Sequence, residues 1–266
     1  IISEEHVGYV DTFMKALRLE AGLRESIKRL NIFAGTSTNT AMVPLIKDFG
    51  DDIEKNYNFT SLDVETGMTS DGQKHIDTGI SLSEIPSVSF ANFHTSISTK
   101  GTLPSTSNGY ALGNGGIKIN LTNASKKLEY AASSITSSHA GTGLMLGTAI
   151  SSSETKLYKG GSSSDAGSYD GSGSISGLNF IIFGDNTEQG ATGGFAGKIS
   201  LYSIGTGLTS GQVAAFNAAI AALETSLKRG DYFASNPDAW KWANVGVPAN
   251  NGTVTQSQVN SVNNFM

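Results

Sequence analysis

The sequence predicts a mainly β protein: a two-sheet antiparallel sandwich with a helical lead before it and a helix closing it. Three observations carry that expectation. Charged residues make up only 15% of the 266, while glycine contributes 32. That balance suits a turn-rich β fold with a neutral polar surface, not a helical enzyme or a disordered tail. Short segments of β-type residues recur between Gly, Asn, Asp and Ser clusters. The apolar period is helical up to about Asn31, alternates from there, and turns helical again at Thr209.

Taken in order, Ser3 to Met14 read as a helix opening on a hydroxyl cap, with Val7, Val10, Phe13, Met14 and Leu17 on one stripe. Gly22 interrupts it, and Ile27 and Leu30, three apart, predict a second short helix. Residues 1–30 are thus expected to be a helical lead or connector, and residues 31–229 the sandwich domain. Strands are expected at Asn58–Val64, Lys74–Leu82, Ser87–Thr99, Gly116–Asn120, Lys127–Ser133, Thr142–Ile150, Thr155–Lys159, Gly177–Phe183 and Phe195–Ile204. About nine to eleven strands at this spacing point to two packed sheets. The run Asn179-Phe-Ile-Ile-Phe183 is apolar without alternation, as a central strand would be.

The closing helix spans 209–229. Thr209 and Gln212 form a capping box, Val213, Phe216, Ile220, Leu223 and Leu227 share one face, and Gly230 is placed to end it. Residues 230–266 read as a linker. Asn236-Pro237-Asp238 starts a short helix carrying Trp240 and Trp242, and Pro248 to Gly252 turns the chain into a last helix at Thr255.

That last helix repeats the first. Val259, Val262, Phe265 and Met266 match Val7, Val10, Phe13 and Met14 at a constant offset of 252. The chain therefore reads as one unit of a tandem array plus the opening of the next. Val259, Val262 and Phe265, with the two tryptophans, are the expected inter-unit docking residues.

Composition excludes several function classes. Net charge is −5 and the longest basic run is Lys126-Lys127, so nothing tracks a phosphate backbone. There is no cysteine, hence no disulfide framework and no thiolate metal site. No apolar run approaches the length of a membrane span, and no basic segment leads into an apolar one as in a signal peptide.

The segment Gly194-Phe-Ala-Gly-Lys-Ile-Ser-Leu-Tyr-Ser-Ile-Gly-Thr-Gly-Leu-Thr209, running into Gln212-Val-Ala-Ala-Phe216 and ending Leu227-Lys-Arg229, resembles the closing strand, turn and helix of a known family. This is the concanavalin A-like (laminin G-like) jelly-roll module of tailed-bacteriophage structural and fibre proteins. Leu30-Asn-Ile-Phe-Ala-Gly35, Thr69 to Gly79, His94-Thr-Ser-Ile-Ser98 and Lys156-Leu-Tyr-Lys-Gly160 match in the same order, whereas 100–150 match only in character. The resemblance implies a non-enzymatic structural module of a virion fibre, tail or capsid appendage. Its partners would be neighbouring copies and other virion proteins. The alternative it leaves open is an adhesin domain that recognises host-surface or mucosal glycans, with an aromatic-bearing groove on one sheet face.

Candidate chemistry is thin. Gly205-Thr-Gly207-Leu-Thr-Ser-Gly211 looks like a dinucleotide turn but is one residue off that spacing, with no second strand and no acidic residue beyond. No cofactor is expected. Asp63 and Glu65 would share a strand face at about 7 Å, the one visible start of a glycosidase pair. They read better as a solvated acidic pair. The four histidines, His6, His75, His94 and His139, have no metal-site spacing, and His94 reads as a packed strand residue. The loop from Gly160 to Gly177 is the most biased stretch. As a recognition loop it would stack Tyr169 on a sugar, with Asp170 and Asp165 accepting from hydroxyls. Asp165, Asp170 and Asp185 are also the candidate calcium ligands, although the D-x-D-x-D-G spacing is absent.

Overall fold

The structure, a computed structural model, describes residues 4–34, 37–60, 67–105, 109–122, 125–137, 141–168 and 176–227. The chain opens with α1 (Glu4–Leu19), α2 (Leu23–Ser26), β1 (Ile27–Asn31) and α3 (Thr38–Ala41). Five strands follow: β2 (Ile46–Lys47), β3 (Lys55–Tyr57), β4 (Met68–Asp71), β5 (His75–Ser81) and β6 (Phe93–Lys100). Next come β7 (Tyr110–Gly113), β8 (Ile117–Leu121), β9 (Lys126–Tyr130), β10 (Ser133–Ser137), β11 (Gly143–Ser151), β12 (Glu154–Lys159) and β13 (Ser162–Gly167). The last elements are β14 (Asn179–Ile182), β15 (Asp185–Thr187), β16 (Gly190–Thr192), β17 (Ala196–Gly205) and α4 (Ser210–Ser226).

The strands build two antiparallel sheets. The first runs β13-β12-β11-β6-β17-β1-β2, with β4 also on β17, and the second runs β10-β9-β8-β7-β14-β5-β3. The main core lies between them. Phe93, Ile97, Leu157 and Tyr202 from the first sheet meet Ile76, Ile119, Leu128 and Phe180 from the second. This is the predicted jelly-roll sandwich.

A second core covers the outer face of the first sheet, where Leu144, Leu146, Tyr158 and Leu201 pack with Phe13 and Leu17 of α1 and with Val213, Phe216, Ile220 and Leu223 of α4. Strands β11 and β17 are therefore buried on both faces over most of their length. Glu224 helps hold α4 down by accepting from Ser200 Oγ at 2.7 Å, with Lys100 Nζ 3.5 Å away. Among the described residues the second sheet has no helical layer. Strands β8 and β9 alternate between buried and half-exposed residues, with one face in the core and one toward solvent.

Several boundaries differ from expectation. Ile27 and Leu30 lie in β1, not in a helix. A bulge between Ile27 and Arg29 puts two residues opposite one on β17, so that side chains three apart point to the same side and both join the helix-facing core. The single strand expected over Lys127–Ser133 is a hairpin, broken at Ala131, where φ is 51°. The strand expected from Ser87 begins only at Phe93, after a turn with Ser87 at φ 66°. Asn58, at φ 72°, ends β3 where the sequence suggested a strand would start. The rest of that segment, with Asp63 and Glu65, lies outside the described residues, as do His139 and the linker 230–266.

Candidate functional site

The open face of the second sheet carries a connected group of polar and aromatic side chains. On β8, Ile117, Ile119 and Leu121 point into the core, so Lys118 and Asn120 point out. On β9, Leu128 and Tyr130 are core residues, and Lys127 and Glu129 face out. Register then aligns Lys118 with Glu129 and Asn120 with Lys127. Strand β7 contributes Tyr110 by an irregularity. Its pairing with β8 shifts between Tyr110 and Leu112, which keeps Ala111 and Leu112 in the core while Tyr110 stands opposite Asn120.

The last member comes from the β15–β16 hairpin. Asp185 is only 2% exposed. Its Oδ1 accepts from the Gly115 backbone N–H at 2.7 Å, and its Oδ2 is 3.0 Å from Lys118 Nζ. Gly113 makes room for it, since a Cβ there would lie 2.5 Å from Asp185 Oδ1. The Lys118 ammonium sits 4.9 Å from the centre of the Tyr110 ring, within cation–π range. The Tyr110 hydroxyl donates to Glu129 Oε2 at 3.4 Å, and Glu129 Oε1 pairs with Lys127 Nζ at 2.8 Å.

The electrostatics follow from this geometry. Burial works against the Lys118 charge, but the hydrogen bond and the charge of Asp185 outweigh it and raise the ammonium pKa. Burial and the nearby Glu129 carboxylate raise that of the Tyr110 phenol. The face therefore presents an ammonium and a phenol that both hold their protons more firmly than usual, tied to the carboxyl oxygens of Asp185 and Glu129. Such a surface is equipped to exchange hydrogen bonds with a hydroxyl-rich ligand and to offer a ring to its apolar side. At the far edge of the same sheet, Tyr57 and His75 stack at 4.4 Å and 14°.

Of the residues singled out by sequence, Asp185 belongs to this site, as the partner of Lys118. Asp165 stands on β13, the edge of the other sheet, opposite Leu157. Both Asp185 oxygens are engaged by the protein, and among the described residues no three His, Asp or Glu side chains gather as a metal site. Tyr169, Asp170, Trp240, Trp242, Val259, Val262 and Phe265 lie outside the described residues. His94 is packed as expected. Its Nδ1 donates to the Thr206 carbonyl at 2.6 Å and its Nε2 accepts from Ser203 Oγ at 3.1 Å, with no exposed surface. Burial pushes its pKa down to about 4, so this serine–histidine contact is a neutral structural tie.

Tyr110, Lys118, Lys127 and Glu129 were not singled out by the sequence. The signal present was the alternation over 117–130, which marks an outward row of polar residues but not what stands beside it.

No protein-family model matches the chain, and no curated protein sequence matches it. Solved structures do. A Trypanosoma rangeli sialidase mutant displaying trans-sialidase activity is similar at TM-score 0.53 and 11% identity, over 82% of this chain and 38% of that one. Domain 4 of an extracellular arabinanase from Geobacillus stearothermophilus, in complex with arabinotriose, gives TM-score 0.46 and 14% identity, over 72% and 98%. The CBM40 of Ruminococcus gnavus IT-sialidase, bound to sialyllactose, gives 0.37 and 15%, over 47% and 80%. The likeness to the sialidase is one of fold, and this chain spans less than two fifths of that protein.

Proposed function

We propose that this chain is a non-catalytic, lectin-like module that recognises a glycan on the open face of its second sheet, centred on Tyr110, Lys118 and Glu129. The observation that carries the reading is the ion pair between the buried Asp185 and the partly exposed Lys118, set beside an outward tyrosine on a face that no described helix covers. Taking a carboxylate out of water is costly, and an apolar pair would hold the hairpin down as well. A site that needs a fixed ammonium and acceptor at the surface gives the pair a purpose.

The resemblance to phage virion modules adds the setting: an appendage of the particle, with the sandwich as a stiff body between successive units. The structural role favoured by the sequence is retained in this reading but takes second place to recognition. The helix-covered first sheet suits the body role, and the second sheet, which no described helix covers, suits the binding role. A hydrolytic alternative would need two carboxylates free to act on a glycosidic bond. On this face Glu129 is tied to Lys127 and Tyr110, and Asp185 to Lys118 and Gly115.

The test is a glycan array probed with the native chain, with and without a calcium chelator. Binding of a defined oligosaccharide class, unchanged by chelation, is the expected result, because Asp185 already has its cation in Lys118. A chain that binds nothing on the array would overturn the recognition reading and leave the structural one.

A further inference from the structure

The repeat between the two ends of the chain gains meaning from how α1 is seated. Phe13 is buried, and Val10 and Met14 pack against the helix-facing core from partly buried positions. Those three are among the four positions that recur unchanged, as Val262, Phe265 and Met266, the fourth being Val7 and Val259. Of the exposed positions of the same stretch, Gly8, Asp11 and Thr12 are replaced, each by asparagine, at 260, 263 and 264, and Val7 is kept. Three of the four identities thus fall on the contact side of α1. One contact position differs, Tyr9 standing where the repeat has Ser261.

We propose that residues 255–266 are a second key to the seat that α1 occupies, and that they link copies of this chain head to tail. The C-terminal segment of one copy lies against α4 of another. Each copy then has one seat, walled by Val213, Phe216, Ile220 and Leu201, and two segments that fit it. A contact of this kind joins unlike surfaces, so it propagates as an open chain unless the rotation closes a ring. Within one chain α1 has the advantage, because tethering gives it an effective concentration of about millimolar. Docking between copies is therefore expected to be weak until the hold of α1 is loosened. This inference does not depend on the glycan reading.

The test is sedimentation equilibrium of the whole chain in three forms: native, Val10→Asp with Met14→Asp, and that pair combined with Val262→Asp and Phe265→Asp. Loosening α1 at two partly buried positions is expected to tighten self-association by about tenfold or more, as the tethered competitor weakens. Adding the C-terminal substitutions is expected to return it to the native level. Circular dichroism and the thermal transition check that the sandwich survives. As a second measurement, a fluorescent peptide of residues 253–266 is titrated into the native chain and the loosened variant, beside a scrambled control. Tighter binding of the true sequence to the loosened variant supports the proposal. Self-association indifferent to Val262 and Phe265, or a peptide that binds no better than its scramble, overturns it.

Discussion

Arg29 carries a guanidinium into β1 with no exposed surface, and its neighbours form a cluster that crosses the whole chain. Its Nη1 donates to the carbonyls of Phe49 and Asp51, while Nε lies 3.5 Å from the Tyr202 hydroxyl and 3.9 Å from Glu54 Oε1. Glu54 in turn accepts from the Tyr202 hydroxyl and from Asn31 Nδ2. Burial raises the Glu54 pKa to about 7, against the opposing pull of Tyr202, Arg29 and Asn31 and with a small push from Asp77. His94 is shifted the other way, from 6.5 to about 4. The two groups therefore act on stability with opposite sign. Between about 4.5 and 7 the folded state holds the Glu54 proton more tightly than the unfolded one, so that contribution is lost as pH rises. Between about 4 and 6.5 the unfolded chain protonates His94 more readily, so that contribution is lost as pH falls. Glu54→Gln should leave a stability that rises more steeply with pH over this range, and His94→Asn one that falls relative to the native chain. Urea midpoints at about pH 4.5, 6 and 7.5 measure both tilts. Equal slopes in all three proteins would contradict the assignment. The packing of His94 was legible in the sequence; the Glu54 cluster was not, because its partners stand 23 and 148 residues away. Tyr110 was hidden in the same way, a lone aromatic whose partners arrive from two other strands and a hairpin.

At the scale of elements, α4 was readable because its signals are local. The Thr209 hydroxyl accepts from the Gln212 backbone N–H at 3.3 Å, and Gln212 Oε1 accepts from the Thr209 backbone N–H at 3.0 Å. Gln212 also donates through Nε2 to the Ala21 carbonyl at 2.9 Å. One side chain thus caps α4 and ties it to the turn after α1. Thr209→Ala should cost about 1 kcal/mol, the usual value of a cap, seen as a fall in Tm of about 2–4 °C. Gln212→Ala should cost more than Thr209→Ala, because it also releases Ala21; calorimetry that ranks them the other way would contradict the tie. Strands β11, β12 and β17 were legible as β-type segments bounded by turn residues. The short strands β2, β15 and β16 were not, since two or three residues carry no period. Strand β1 was misread because its bulge imitates helical spacing, and the β9–β10 hairpin because Ala131-Ala132 is not a usual turn pair.

The described residues form a three-layer stack of helices, sheet and sheet, with no described helix on the second sheet. Helix α1 belongs to that body, since it shares a core with α4 and the first sheet. The amphipathic pattern showed that α1 would pack, but could not show against what. Among the described residues helices cover the first sheet and not the second, and the proposed recognition site lies on the second. The sequence pointed to the 160–177 loop instead, because compositional bias is visible along a chain and a cross-strand cluster is not. The most direct measurement is therefore glycan-array binding by Tyr110→Ala and Tyr169→Ala beside the native chain, with thermal melts of all three. Tyr110→Ala is expected to lose at least about tenfold in affinity, or about 1.4 kcal/mol, at an unchanged melting temperature, while Tyr169→Ala binds as the native chain does. Native binding by Tyr110→Ala together with loss in Tyr169→Ala would contradict it and move the site to the loop.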